Sequence, residues 1–295
     1  MALSEQVTAL ARVRAVHTVA GIRELVAGRR ADGRSVALVP TMGNLHEGHL
    51  SLARLAASKA DVVVMSIFVN PTQFGPSEDF AAYPRTLEED LEKIEGAGVV
   101  EAVFLPEQQT IYPFGTGEAV RIVLPALSRE LCGAFRPGHF DGVASVVCRL
   151  LNIVQPQLLV MGQKDYQQFV LLERMVADLQ MPVALVMAPT QREPDGLAMS
   201  SRNRYLDRDE RKKAATLHAV LVEIRNAILG GDRNFVRIAA AARDRLAAAG
   251  FRPDYVEVRR ARDLAEPSDA DAADELVALG AAWLGRARLI DNLRI

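Results

Sequence analysis

The sequence predicts an α/β protein, a doubly wound parallel sheet followed by a smaller C-terminal α+β domain. Three observations lead there. Short apolar runs rich in β-branched residues recur through the first two thirds of the 295-residue chain. Segments with the spacing of amphipathic helices separate several of them. Beyond about residue 189 the alternation stops, and helical stretches are followed by consecutive strand-like pieces. Uniformly apolar strands that alternate with helices require both faces of a sheet to be covered, which implies parallel pairing.

The apolar runs lie at 35–39, 62–69, 99–105, 121–124, 158–161 and 183–187, and the helical stretches at 50–59, 87–97, 143–154 and 169–179. A polar stretch, 190–204, leads to a long helical region at 207–229 that Gly230-Gly231 breaks. A second helix at 234–249 ends at Gly250. Ala-rich pieces such as 239–249 are helix formers, not low-complexity tails. Strand-like pieces at 255–260, 275–284 and 288–295 close the chain. The expected organisation is a ligand-binding domain over 1–190 and a smaller α+β lid domain over 191–295. Open parallel sheets bind ligands beyond the carboxyl ends of their strands, so the residues just past each strand matter most.

Composition narrows the partners. The chain carries 35 basic and 37 acidic side chains, a formal net charge of −2. Proteins that bind polyanions carry a basic surplus, so nucleic acid is excluded as a partner. No segment has the ~18 uncharged apolar residues of a membrane span, and residues 1–20, with charges at Glu5, Arg12 and Arg14, lack the apolar core of a signal peptide. A cytoplasmic location is expected. Two cysteines, Cys132 and Cys148, are too few for a disulfide framework and are read as buried reduced thiols. The Gly-x-x-x-x-Gly-Lys-Ser/Thr, Gly-x-Gly-x-x-Gly and Gly-x-Ser-x-Gly patterns are absent, which removes the usual signatures of phosphate-loop kinases, dinucleotide dehydrogenases and α/β-hydrolases.

Four strand ends carry chemistry. The first runs Pro40-Thr41-Met42-Gly43-Asn44-Leu45-His46-Glu47-Gly48-His49 into a helix. Histidines three residues apart at a helix start face roughly one way, beside unpaired backbone N–H groups and a positive dipole end. Gly43 and Gly48 let a phosphate approach the backbone. This is the chemistry that stabilises phosphates gaining charge in an attack on ATP. The second strand ends in Asn70-Pro71-Thr72-Gln73-Phe74-Gly75, where Asn70 and Gln73 suit the hydroxyls and carboxylate of a small substrate. Arg136, before the helix at 143–154, is a candidate clamp for carboxylate or phosphate. After the strand at 158–161 come Gly162, which admits ribose or base, Lys164 for phosphate, and Asp165 for ribose hydroxyls. Finally, the run 192–203 bears hydroxyls and a guanidinium that can close over a triphosphate.

The string His46-Glu47-Gly48-His49 resembles the His-x-Gly-His signature of adenylyl-transferring enzymes with the class I synthetase-like, Rossmann-like fold. Its flanks resemble those of the pantothenate synthetase (pantoate–β-alanine ligase) family. So do Val69-Asn70-Pro71-Thr72-Gln73-Phe74, Tyr83-Pro84-Arg85, Arg136-Pro137-Gly138-His139-Phe140, Gly162-Gln163-Lys164-Asp165-Tyr166-Gln167-Gln168 and Asp195-Gly196-Leu197-Ala198-Met199-Ser200-Ser201-Arg202-Asn203. Leu289-Ile290-Asp291-Asn292 also looks familial, so the likeness spans most of the chain. Gln163 departs from the Glu of many relatives.

The resemblance implies ATP-dependent coupling of pantoate to β-alanine through a pantoyl adenylate, with Mg2+ accompanying the nucleotide and a homodimeric assembly. It implies catalytic roles for His46, His49, Lys164 and Arg202. It implies ATP contacts from Pro40, Met42, Gly43, Gly48, Gly162, Asp165, the Gln191 backbone, Met199, Ser200 and Ser201. Gln73 and Gln168 would grip pantoate, with Asn70, Tyr83 and Arg136 beside the acid or amine; Glu89 and Asp90 could assist the metal. Two other readings remain at this level: a different His-x-Gly-His nucleotidyltransferase acting on a phosphorylated precursor, and a non-catalytic nucleotide-binding module. A fragment of an aminoacyl-tRNA synthetase fits poorly, because the charge balance gives no RNA-binding surface.

Overall fold

The computed structural model describes residues 13–295 except 77, 79 and 125. The chain divides into two compact units: Met1–Ser128, Arg136–Met161 and Leu171–Ala188 form the first, and Arg129–Phe135, Gly162–Val170 and Pro189–Ile295 the second. The first twelve residues of the expected N-terminal domain lie outside the described residues.

The first unit holds a parallel sheet of β1 (Arg14–Val16), β2 (Val36–Thr41), β3 (Val62–Ile67), β4 (Ala102–Phe104), β5 (Leu158–Gly162) and β6 (Ala184–Ala188), in the order β1-β4-β3-β2-β5-β6. Its helices are α1 (Val19–Ala31), α2 (Glu47–Ala57), α3 (Leu87–Ala97), the short α4 (Gln108–Ile111) and α6 (His139–Val154). Alternate residues of the strands enter one core: Ala37, Val39, Val63, Met65, Val103 and Val160 pack with Leu52, Ala53 and Ala56 of α2 and Ile94 of α3. The intervening residues Val36, Leu38, Val62, Val64, Phe104 and Leu159 are also buried. Both faces are therefore covered, which is why these strands read as unbroken apolar runs. From β2 the order runs β3, β4 and the edge strand β1 on one side and β5, β6 on the other, so the topological switch point lies between β2 and β5.

Two expectations for this unit change. The apolar run 121–124 is not a strand: its Ile122 N–H donates to Ser145 Oγ at 2.9 Å and its Leu124 N–H to Asp141 Oδ1 at 3.0 Å. Side chains of α6 take the donors that a neighbouring strand would have taken. In addition β1 and α1, whose short or weakly patterned sequences gave no signal, complete the sheet edge and one helical layer.

The second unit contains the short α5 (Cys132–Phe135), the start of α7 (Tyr166–Asp178), α8 (Arg208–Ala214), α9 (Thr216–Leu229), α10 (Phe235–Ala248), and an antiparallel sheet of β7 (Arg252–Arg260), β8 (Leu276–Leu284) and β9 (Ala287–Arg294) in the order β7-β8-β9. Helix α9 lays Leu217, Val220, Leu221 and Ile224 against Val256, Ala278 and Ala282 of the sheet. Segments 129–135 and 162–170, expected with the first domain, belong here for polar reasons. Gln167 Oε1 accepts from Cys132 N–H at 3.0 Å, its Nε2 donates to the Glu130 carbonyl at 2.8 Å, and the Tyr166 hydroxyl donates to the Ala261 carbonyl at 3.0 Å. Both cysteines are free. Cys132 is buried 3.1 Å from the Tyr255 hydroxyl, whereas Cys148 is only half-buried.

Candidate active site

In the first unit the chain leaves β2 through a tightly held loop. Gly43 turns with φ +79°, and an added Cβ would sit 3.1 Å from Asp90 Oδ2. Asp90 is fully buried on α3 and accepts from the backbone N–H groups of Asn44 and Leu45, at 2.8 and 2.7 Å, and from the Thr86 hydroxyl at 3.2 Å. It is a clasp for the loop. Glu89 is largely exposed and 3.9 Å from Lys93.

The clasp delivers His46 to the N-cap of α2. Gly48 N–H donates to His46 Nδ1 at 3.1 Å, and His46 N–H donates to His49 Nδ1 at 3.3 Å, a reciprocal capping box built from two imidazoles. The rings lie 4.1 Å apart. Because each Nδ1 accepts, each neutral ring carries its proton on Nε2, so both present an N–H donor on the side away from the cap. Two donors at a helix amino end make an anion site.

The segment after β3 forms a 3-10 turn, Pro71–Gln73. Asn70, 1 % exposed, is its hub. Asn70 Nδ2 donates to Gln73 Oε1 at 3.1 Å and to the Gly142 carbonyl at 3.2 Å, while Oδ1 accepts from Thr72 N–H, the Thr72 hydroxyl and the Tyr112 hydroxyl. These bonds make Asn70 the scaffold of the turn that carries Gln73. Gln73 Nε2 lies 3.3 Å from Met42 Sδ, so the two strand-end loops meet. Tyr83 is buried, with its ring edge-on to Phe74.

Arg136 departs most from expectation. Its Nε and Nη2 reach Glu78 at 2.7 Å each, and Nη1 donates to His139 Nε2 at 2.9 Å. His139 Nδ1–H in turn donates to the Gln73 carbonyl at 2.8 Å. The guanidinium clamps a protein carboxylate and, through His139, steadies the backbone of Gln73. Burial alone would raise the Glu78 pKa, but the bonds and charge of Arg136 outweigh it and hold Glu78 below its usual range.

In the second unit Lys164 follows β5 in a 3-10 turn, Gln163–Asp165, its side chain 20 % exposed and only loosely paired with Asp165 at 3.9 Å. Gln168 is half-buried in the first turn of α7. The polar run folds as a small hairpin in which the Gln191 carbonyl accepts from Met199 N–H at 2.9 Å. Ser200 then caps the turn Ser201–Tyr205, with Oγ accepting from Arg202 N–H at 3.3 Å and its own O–H left to donate. Lys164, Ser200, Asn203, His218 and Asp291 line one small cavity of about 10 Å³. An ammonium and a hydroxyl brought this near each other are the group types that bind phosphate oxygens.

The model of the pantoate–β-alanine ligase family matches residues 14–294. The chain belongs to that family. Pantothenate synthetase from Alkalilimnicola ehrlichii is 52 % identical to it over 276 residues, 94 % of this chain and 96 % of that protein. Its counterpart from Thioalkalivibrio sulfidiphilus is 51 % identical over 95 % of this chain and 97 % of its own. Among solved structures, the pantothenate synthetase of Thermus thermophilus superposes with a TM-score of 0.87 at 43 % identity, covering 95 % and 98 % of the two chains. Pantoate–β-alanine ligase from Francisella tularensis, solved in complex with beta-gamma ATP and β-alanine, gives 0.76 at 32 % identity over 96 % and 98 %.

In this pantoate–β-alanine ligase family member the residues that hold the site were harder to read than the site itself. Asp90, Tyr112, Gly142, His139, Asp291 and Asn292 act through contacts distant in sequence. Only His139, within Arg136-Pro137-Gly138-His139, and Asp291-Asn292, within the familial terminal strand, had a local signal.

Proposed function

We propose that the chain condenses pantoate with β-alanine to pantothenate in two steps at the expense of ATP, supplying a precursor of coenzyme A. The pantoate carboxylate attacks the α-phosphorus, pyrophosphate leaves, and pantoyl adenylate forms. The β-alanine amine then attacks the activated carbonyl and expels AMP. The observation that carries this reading is the reciprocal His46–His49 cap, which aims two Nε2–H donors from a helix amino end, where negative charge develops on ATP.

In this reading His46, His49 and Lys164 stabilise that charge, and Ser200, Ser201 and Arg202 act on the departing pyrophosphate. Pro40, Met42, Gly43, Gly48, Gly162, Asp165, Gln191 and Met199 contribute the remaining nucleotide contacts. Gln73 and Gln168 orient pantoate. The first unit would thus serve as the body of the enzyme, and the C-terminal unit as the lid that its polar hairpin equips. Among the described residues no group of three or more His, Cys, Asp or Glu side chains is arranged to hold a metal ion. Magnesium would therefore ride on the nucleotide, shielding phosphate oxygens from the incoming carboxylate.

The enzyme would work in the cytoplasm; no helix among the described residues is long and apolar enough to cross a membrane. A homodimer is supported by Phe114, Val120 and Val123, which are 81, 81 and 65 % exposed within one short stretch. The deciding assay measures pyrophosphate release with ATP and pantoate, with and without β-alanine. Release that needs pantoate, and pantothenate that needs both acids, are expected; ATP binding without pantoate-dependent release would overturn the reading.

A further inference from the structure

We infer that Asp291, braced by His218, is the positioning residue that sets the Ser200–Arg202 segment against Lys164. The inference rests on the reading that this segment and Lys164 act on the triphosphate.

The hairpin over 191–199 is short. Besides the Met199–Gln191 bond, it holds itself by Glu193 N–H donating to the Leu197 carbonyl at 2.8 Å, around a turn at Gly196 with φ +93°. So small a ribbon is not stable alone and needs an anchor. The anchor is Arg192, whose guanidinium sends two parallel bonds to Asp291, of 2.7 and 3.0 Å. It also donates to the carbonyls of Gly196 at 3.0 Å and Asn292 at 3.3 Å. The Asp291 carboxylate is 2 % exposed and accepts from the Asn292 N–H at 2.8 Å. A fork-to-fork pair in a dry site fixes direction as well as distance.

His218, on α9, touches this anchor twice. Its buried Nδ1 lies 3.5 Å from Asp291 Oδ2 and makes no hydrogen bond to it or to any other described residue. Its Cδ2 lies beneath the hairpin turn, where a Cβ on Gly196 would come within 2.8 Å of it. A bare lone pair facing a buried carboxylate is unfavourable, so the hydrogen sits on Nδ1 and the N–H dipole faces Asp291 at 3.5 Å as an electrostatic contact, without a formed hydrogen bond. The ring thus supports the turn while it orients the carboxylate that grips Arg192.

The neighbouring residue holds the other participant. Asn292 Nδ2 donates to the carbonyls of Gln163 and Lys164, at 2.8 and 2.9 Å. One dipeptide of β9 therefore pins both the hairpin that leads into Ser200 and the turn that carries Lys164. Misplacing groups that act on one ligand by about 1 Å costs on the order of 10²-fold in rate.

The test uses the full chain with His218→Leu, His218→Asn and Asp291→Asn. Asparagine Nδ2 can replace the Nδ1–H donor; leucine keeps volume but not the donor. Amide hydrogen exchange at Glu193 and Met199, read without substrates, should quicken about tenfold in His218→Leu and return toward wild type in His218→Asn. In steady state, His218→Leu should worsen kcat/KM for ATP in pyrophosphate release by a similar factor while KM for β-alanine stays unchanged. Asp291→Asn should exceed it on both readouts. Wild-type exchange in His218→Leu, or equal loss in the leucine and asparagine variants, overturns the inference. If the wild-type enzyme released no pyrophosphate with pantoate, the functional reading would fall, while the exchange comparison would still decide the positioning role.

Discussion

At the scale of single residues, His49 combines an observed task with a proposed one, and the two can be separated. Its Nδ1 accepts from the His46 N–H and so completes the cap of α2, and in the proposed reaction its Nε2–H would be the donor for developing charge. His49→Ala should slow pyrophosphate release about 10²-fold and also loosen the helix start. His49→Asn, which keeps an acceptor near the Nδ1 position, should regain thermal stability without regaining the rate; recovery of pyrophosphate release in that variant would show the imidazole is not needed. Asp90 is the opposite case, a residue that looked chemical and is architectural. Its carboxylate satisfies two backbone N–H groups and a hydroxyl in full burial. Asp90→Ala should cost about 3 kcal/mol or more, read as a shifted urea midpoint. A midpoint equal to wild type would mean the loop over 43–45 holds itself.

At the scale of elements, the pairing of α6 with the turn Pro71–Gln73 decides where Gln73 points. Gly142 makes that approach possible: a Cβ there would fall 2.3 Å from the Thr72 carbonyl oxygen and 2.6 Å from its carbon. Both are backbone atoms, so Gly142→Ala must push the turn away rather than bend a side chain. The helix itself would gain, since Ala is the better helix former. Far-ultraviolet circular dichroism should therefore stay native while KM for pantoate rises about tenfold or more; an unchanged KM would place Gln73 outside the pantoate contacts. The helix boundaries show why local pattern has limits. The helix expected at 50–59 begins at Glu47 because His46 caps it, and the one expected at 143–154 begins at His139, after Gly138 adopts φ +77°. Apolar periodicity marks the middle of a helix, whereas its start is fixed by which side chain reaches the first N–H groups. The run at 121–124 failed as a strand because Ser145 and Asp141 of a later helix claimed its donors.

At the scale of the whole molecule, several carboxylates share one electrostatic condition. Arg136 outweighs burial at Glu78, a bond from Arg211 lowers Asp195, and the Ser35 hydroxyl lowers Asp61. Each has a folded pKa below its unfolded value, so each stabilises the fold above the ordinary carboxylate range. That contribution is lost as pH falls from about 4 through the depressed folded values. The denaturant midpoint should therefore hold near neutral pH and fall below about pH 4, with half-buried Glu78 contributing most and the exposed Asp61 and Asp195 little after solvent screening; a flat profile to pH 3 would contradict the Glu78 assignment.

The order of apolar runs and helical spacings by itself determined the layered α/β architecture and the smaller α+β unit, because burial on both faces leaves a pattern in local sequence. It also singled out the strand ends as the candidate site, since His46, His49, Lys164 and the Ser200–Arg202 run stand out by type and position. Tertiary structure alone decided which polar residues of the candidate site also hold the fold. Asn70, Asp90 and Arg136 read as site residues, yet their partners Gly142, Asn44 and Glu78 lie 72, 46 and 58 residues away. A hydrogen bond depends on distances that only the folded chain creates, and no local pattern encodes them.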